Sequence, residues 1–117
     1  MELRGDLSRT SGDMTFNMPA NIVLDADGGS IKLSDGGTQF GELLNSSSDF
    51  VVESKVQDKD IIFKGDDGGS GITALTLDMS EAGAATFNSG ATFGGAVSGT
   101  SADFDGGVTI DNITIDG

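Results

Sequence analysis

Residues Ile61–Met79 read IIFKGDDGGSGITALTLDM, and the meaning of the central Lys64–Gly71, KGDDGGSG, decides the fold. A phosphate loop needs its lysine after the glycines and a helix behind it. Here Lys64 precedes Gly65, Gly68, Gly69 and Gly71, and the residues that follow alternate apolar and polar as Leu75, Leu77 and Met79. That period of two is the pattern of a strand with one apolar face. The EF-hand spacing of carboxylates is absent, and so is the nonapeptide of calcium-loaded β-rolls. Asp66, Asp67 and Ser70 could offer oxygens to calcium, but Asp-Gly between two alternating runs is first of all a hairpin signal. The stretch therefore reads as strand, Gly-rich turn, strand.

The same grammar runs outward along the chain. Met14, Phe16 and Met18 alternate, as do Ile22 with Leu24, Ile31 with Leu33, Phe50 with Val52 and Ile61 with Phe63. Val108 with Ile110 and Ile113 with Ile115 repeat the pattern near the end. The triplet DGG occurs four times, at Asp27–Gly29, Asp35–Gly37, Asp67–Gly69 and Asp105–Gly107. Asp caps a turn through its own carboxylate, and Gly takes positive φ without a steric penalty. Asn21–Asp25, Ser30–Ser34 and Thr38–Leu44 thus read as a meander of three short strands. Only Ser80–Ala85, SEAGAA, competes as a helix, with Ser80 as its N-cap. The parity of Leu77, Met79, Ala85 and Phe87 favours a hairpin turning at Glu81-Ala82-Gly83.

Composition sets what such strands can bury. The chain has 117 residues, 36% of them hydrophobic, with 19 Gly and seven Phe. A compact monomer of this size has little apolar material for a core. The shortage points to burial between chains or along stacked repeats. From Ala85 onward the sequence turns rich in Gly, Ser, Thr and Ala, with Phe87, Phe93 and Phe104 spaced along it. Two regions follow: a strand-and-turn meander over 1–83 and a shaft-like β region over 84–117. The predicted class is all-β and elongated, with short strands and Asp-Gly turns. An intertwined multi-chain β shaft would answer the core shortage; a monomeric β-solenoid or sandwich is the alternative.

Charge and missing residues prune the chemistry. Asp and Glu total 19 against 6 Lys and Arg, for a net charge of −13. Nucleic-acid binding needs clustered cations, whereas Arg4, Arg9, Lys32, Lys55, Lys59 and Lys64 are scattered. The chain has no Cys and no His, so it holds no thiolate and no imidazole base. Asp25 with Asp27, and Asp103 with Asp105, form DxD pairs that could hold a metal, yet each runs directly into a DGG turn. Trp and Tyr, the usual sugar-stacking residues, are absent. Phe16, Phe40, Phe50, Phe63, Phe87, Phe93 and Phe104 are all the aromatics and read as core. Asn45-Ser46-Ser47 and Asn112-Ile113-Thr114 match the glycosylation sequon, a short and common motif. No signal peptide and no membrane-spanning run is evident. The sequence expectation is therefore no enzyme, no catalytic, metal or cofactor-binding residue, no cofactor, no nucleic-acid partner and no membrane insertion.

Lys59–Asn88, KDIIFKGDDGGSGITALTLDMSEAGAATFN, resembles a segment common in tail-fibre and other structural proteins of marine bacteriophages. Asn21–Val52 is similar to what precedes it there, and Gly106–Gly117 looks like the lead-in to a further module. The resemblance covers most of the chain and is structural in kind. It implies a virion part: a stiff homotrimeric spacer that contacts other virion proteins, with the host surface read by a tip outside this chain. The chain carries no recognisable particle-binding domain or tip of such a fibre.

Overall fold

A computed structural model describes residues 5, 7–109 and 111. Six strands form in chain order: β1 Ser30–Asp35, β2 Thr38–Ser46, β3 Asp49–Ser54, β4 Ile61–Asp67, β5 Ser70–Asp78 and β6 Ala84–Phe87. They make two separate antiparallel sheets in simple meander order, β1-β2-β3 and β4-β5-β6. The described part of the chain is thus all-β, and the substantial strand contacts lie within each sheet rather than between sheets.

Turn chemistry explains the hairpins. Gly36-Gly37 joins β1 to β2 with φ of 54° and 83°, and Gly68-Gly69 joins β4 to β5 with φ of 61° and 91°. Both loop residues of a type I′ turn need positive φ, and this turn's twist matches that of paired strands. The β5–β6 connection is the hairpin read from SEAGAA. There Asp78 Oδ1 accepts from Ser80 N, Ser80 Oγ and Glu81 N at 3.0, 2.7 and 3.2 Å. Gly83 N donates to the Asp78 carbonyl at 2.7 Å and closes the loop. The Asp78 side chain so organises the turn that the Ser80-centred helix never starts.

The middle strand of each sheet carries a bulge. Leu33 pairs with Gly41 but Ser34 with Gln39, which leaves Phe40 as the extra residue. Phe63 pairs with Leu75 but Lys64 with Thr73, which leaves Ala74 extra. In both sheets the residue just after the third strand donates its amide to the extra residue's carbonyl. Lys55 N reaches Phe40 O at 2.9 Å, and Asn88 N reaches Ala74 O at 3.1 Å. The two meanders are therefore structural echoes of one another: strand, Gly-Gly turn, bulged strand, turn, and a third strand tied back to the bulge.

Register gives each sheet an apolar and a polar face, because opposed residues share a face and neighbours alternate. In the second sheet the rows Ile61–Leu77–Ala85 and Phe63–Leu75–Phe87 lie on one face. The bulge at Ala74 shifts the parity of β5, so that Ile72, paired with Gly65, joins Leu75 and Leu77 on that face. In the first sheet Ile31–Leu43–Val52 and Leu33–Gly41–Ser54 share a face, and Lys32–Glu42–Glu53 lie opposite.

Several sequence expectations change. Asn21–Asp25 forms no strand. β1 pairs with β2 alone among the described residues, and the third strand of the first sheet is β3, on the far side of β2. Met14–Met18 is likewise irregular, and the DGG at Asp105–Gly107 is a bend with no hairpin about it. Val108 and Thr109 lie outside any strand, while Ile110, Ile113 and Ile115 fall outside the described residues. Residues 84–87, placed with the shaft-like region, pair with β5 and so belong to the second sheet.

The Phe side chains, read as core, are not buried within this chain. All seven Phe side chains are exposed, from 49% for Phe87 to 77% for Phe50, and no described hydrophobic residue is buried. The chain exposes 10785 Å². A compact monomer of 11.8 kDa would expose about 5,900 Å². Its radius of gyration is 21.2 Å, against about 13 Å for a compact domain of this length.

Candidate functional site

The stretch KGDDGGSG is fully engaged in making its turn. Asp66 Oδ1 accepts from Gly69 N at 2.8 Å, an Asx-type bond that fixes the hairpin end. Asp67 pairs with Ser70 as the last rung of the ladder, and Lys64 lies across from Thr73. Among the described residues no three Asp or Glu side chains converge as a metal cluster. Asp25 flanks the turn in which Gly29 N donates to Ala26 O at 2.8 Å; Asp103 and Asp105 are exposed in irregular chain. Asn45 of the first sequon uses its Oδ1 to accept from Ser48 N at 2.9 Å. Asn112 of the second lies outside the described residues.

One groove stands out, at the end of the first sheet where β1 begins and β2 turns into β3. It has a volume of about 420 Å³, and its walls include Leu24, Ile31, Leu43, Leu44, Asn45 and Phe50. It is open to solvent along much of its length, and it forms where the irregular Leu24–Ala26 segment meets the strands. Sequence reasoning missed it, because that segment reads as a strand by alternation alone. The groove offers apolar walls and the carboxylates of Asp25 and Asp49. No acid–base pair held by a hydrogen bond lines it among the described residues.

The polar features that do converge serve the sheets. Glu42 sits directly opposite Glu53 on β2 and β3, a like-charge pair that is destabilising by itself. Lys55 resolves it, with Nζ 3.2 Å from Glu42 Oε1 and 3.0 Å from Glu53 Oε1. Gln39 Nε2 adds a bond to Glu42 Oε2 at 3.1 Å. The Lys55 hydrogen bond holds the Glu42 carboxyl below its ordinary range, with help from Gln39 and the charges of Lys55 and Lys32. Its bonds to Glu53 and then Glu42 raise Lys55. Asp78 is lowered chiefly by the Ser80 hydroxyl, then by the Glu81 and Ser80 amides. Asp60 Oδ1 accepts from Met79 N at 3.1 Å and clamps the start of β4 to the loop after β5.

What remains unpartnered is apolar surface. Phe63, Phe87, Leu33 and Val52 on the two apolar faces are exposed at 53%, 49%, 42% and 49%. Among the described residues no helix is long and apolar enough to cross a membrane. No family model, no curated protein and no solved structure matches the chain.

Proposed function

We propose that the chain is a structural module of a phage tail fibre or similar virion filament, a stiff homotrimeric spacer for host attachment. The observation that carries the self-association is the exposed area. At 10785 Å² the chain leaves about 4,900 Å² more in water than a compact monomer of its mass would. That excess reflects both the irregular segments on either side of the sheets and the sheet faces that nothing described covers, and those faces are what a neighbouring chain would bury. Regular hydrogen-bonded sheets without an interior gain most of their stability from a neighbour that covers them. The assignment to a virion rests on the resemblance of Lys59–Asn88 to phage fibre segments, and on turns that project acidic and Gly-rich loops outward. The work of such a module is mechanical: interlocked β structure resists bending and proteolysis while a separate tip meets the host.

Light scattering on the purified chain tests this reading. The expected molar mass is three times the 11.8 kDa of one chain. A mass of one chain at micromolar concentration overturns the fibre reading and leaves a monomeric β-rich binding module. In that case a calcium-dependent rise in Tm, abolished by Asp66→Ala with Asp67→Ala, would identify the adhesin form of that module.

A further inference from the structure

We infer that the apolar face of the second sheet, carrying the Phe63–Leu75–Phe87 row, is the surface through which copies of this chain meet, same face against same face. The inference rests on the self-association proposed above and goes further by naming the face. Its rows Ile61–Leu77–Ala85 and Phe63–Leu75–Phe87 contain no polar side chain, and Ile72 extends them past the bulge. The reverse face carries Lys64, Thr73, Asp66, Thr76, Thr86 and Asp78, with Ile62 as its one large apolar residue.

Charge selects the occupant. Each chain carries −13, so two copies repel wherever their carboxylates face one another. The rows from Ile61 to Phe87 carry no charge, and Asp67 with Ser70 shares this face only at its hairpin end, so these rows are where identical chains can touch without that opposition. The corresponding face of the first sheet fits less well. It mixes Ser54 and Asn45 among its apolar residues, and the Leu24 segment already lies against one end of it. Among the described residues nothing of this kind covers the second sheet. Phe63 and Phe87 stay about half exposed, and the substantial strand contacts of β4, β5 and β6 are with one another.

The absence of Cys makes the test clean. Leu75→Cys and Thr76→Cys place single thiols on consecutive residues of the central strand, one on each face. Under copper-catalysed oxidation of the full chain, Leu75→Cys should yield covalent dimers at least tenfold faster than Thr76→Cys. Leu77→Cys and Ala85→Cys repeat the comparison if circular dichroism shows that Leu75→Cys misfolds. Equal rates, or a faster Thr76→Cys, in a chain that scatters as an oligomer would overturn the named face and leave the oligomer intact. Such a result would also follow if a segment of the same chain covered the face. A wild-type monomer would instead remove the self-association on which the inference stands.

Discussion

Three two-residue hairpin loops in this chain share one backbone geometry, but only two of them are built from glycine. Ser47 and Ser48, between β2 and β3, take φ of 51° and 76°, close to the 54° and 83° of Gly36 and Gly37. A left-handed conformation costs an L residue about 1–2 kcal/mol. The bond from Ser48 N to Asn45 Oδ1 at 2.9 Å offsets part of this, by about 0.5–1.5 kcal/mol. Ser48→Gly removes the steric term at one residue and keeps that bond, because the bond uses the backbone amide. Glycine also loosens the unfolded chain, at a cost of about 0.5–1 kcal/mol. The net expectation is a gain of about 0.5–1 kcal/mol. For a chain of this length that is a rise in Tm of about 2–5 °C. Gly69→Ala, at φ 91° with open space around its Cβ, isolates the same term with opposite sign. It should lower Tm by a similar amount with no clash to blame. Both are read by circular-dichroism melting at one fixed protein concentration, since oligomer stability depends on concentration. A Ser48→Gly melt at or below wild type, or an unchanged Gly69→Ala, would refute the view that left-handed strain sets hairpin stability here.

Two further outcomes concern charge. Asp78 has its folded pKa below the ordinary 3.8, so it contributes stability above that value and loses it as pH falls through the lowered one. Asp78→Asn should therefore flatten the acid limb of stability against pH below about 4, while Glu42, also held low, keeps its own contribution; an unchanged acid limb in guanidinium titrations at several pH values would contradict the turn-organising role of Asp78. Lys55→Met should lower Tm at low ionic strength by restoring the Glu42–Glu53 opposition, and the loss should shrink in about 1 M salt, where screening acts within about 3 Å. A deficit independent of salt would mean that Lys55 acts through packing of its stem instead.

Much of the candidate surface was legible in the residues. Leu75, Leu77, Ile61 and Phe63 announced one face by alternation, and Ala85 and Phe87 continued it across the SEAGAA turn. What alternation could not show was Ile72, which is out of phase with Leu75 until the bulge at Ala74 restores it. Nor could it distinguish Ile22 and Leu24, which alternate without pairing, from Ile31 and Leu33, which alternate and pair. The Phe residues were legible as apolar, but alternation does not say whether what covers them belongs to the same chain.

By itself the sequence determined the all-β class, the hairpins at Gly36-Gly37 and Gly68-Gly69, and the turn at Glu81-Ala82-Gly83. Those are local matters: positive φ at glycine and an Asp side chain within reach of nearby amides fix them over a few residues. The tertiary structure alone decided that Phe40 and Ala74 bulge, that Ser47-Ser48 turns as tightly as a glycine pair, and that β3 rather than Asn21–Asp25 completes the first sheet. Each depends on which distant backbone groups find partners. Period-two alternation fixes which way a side chain points and carries no information about which strand lies beside it.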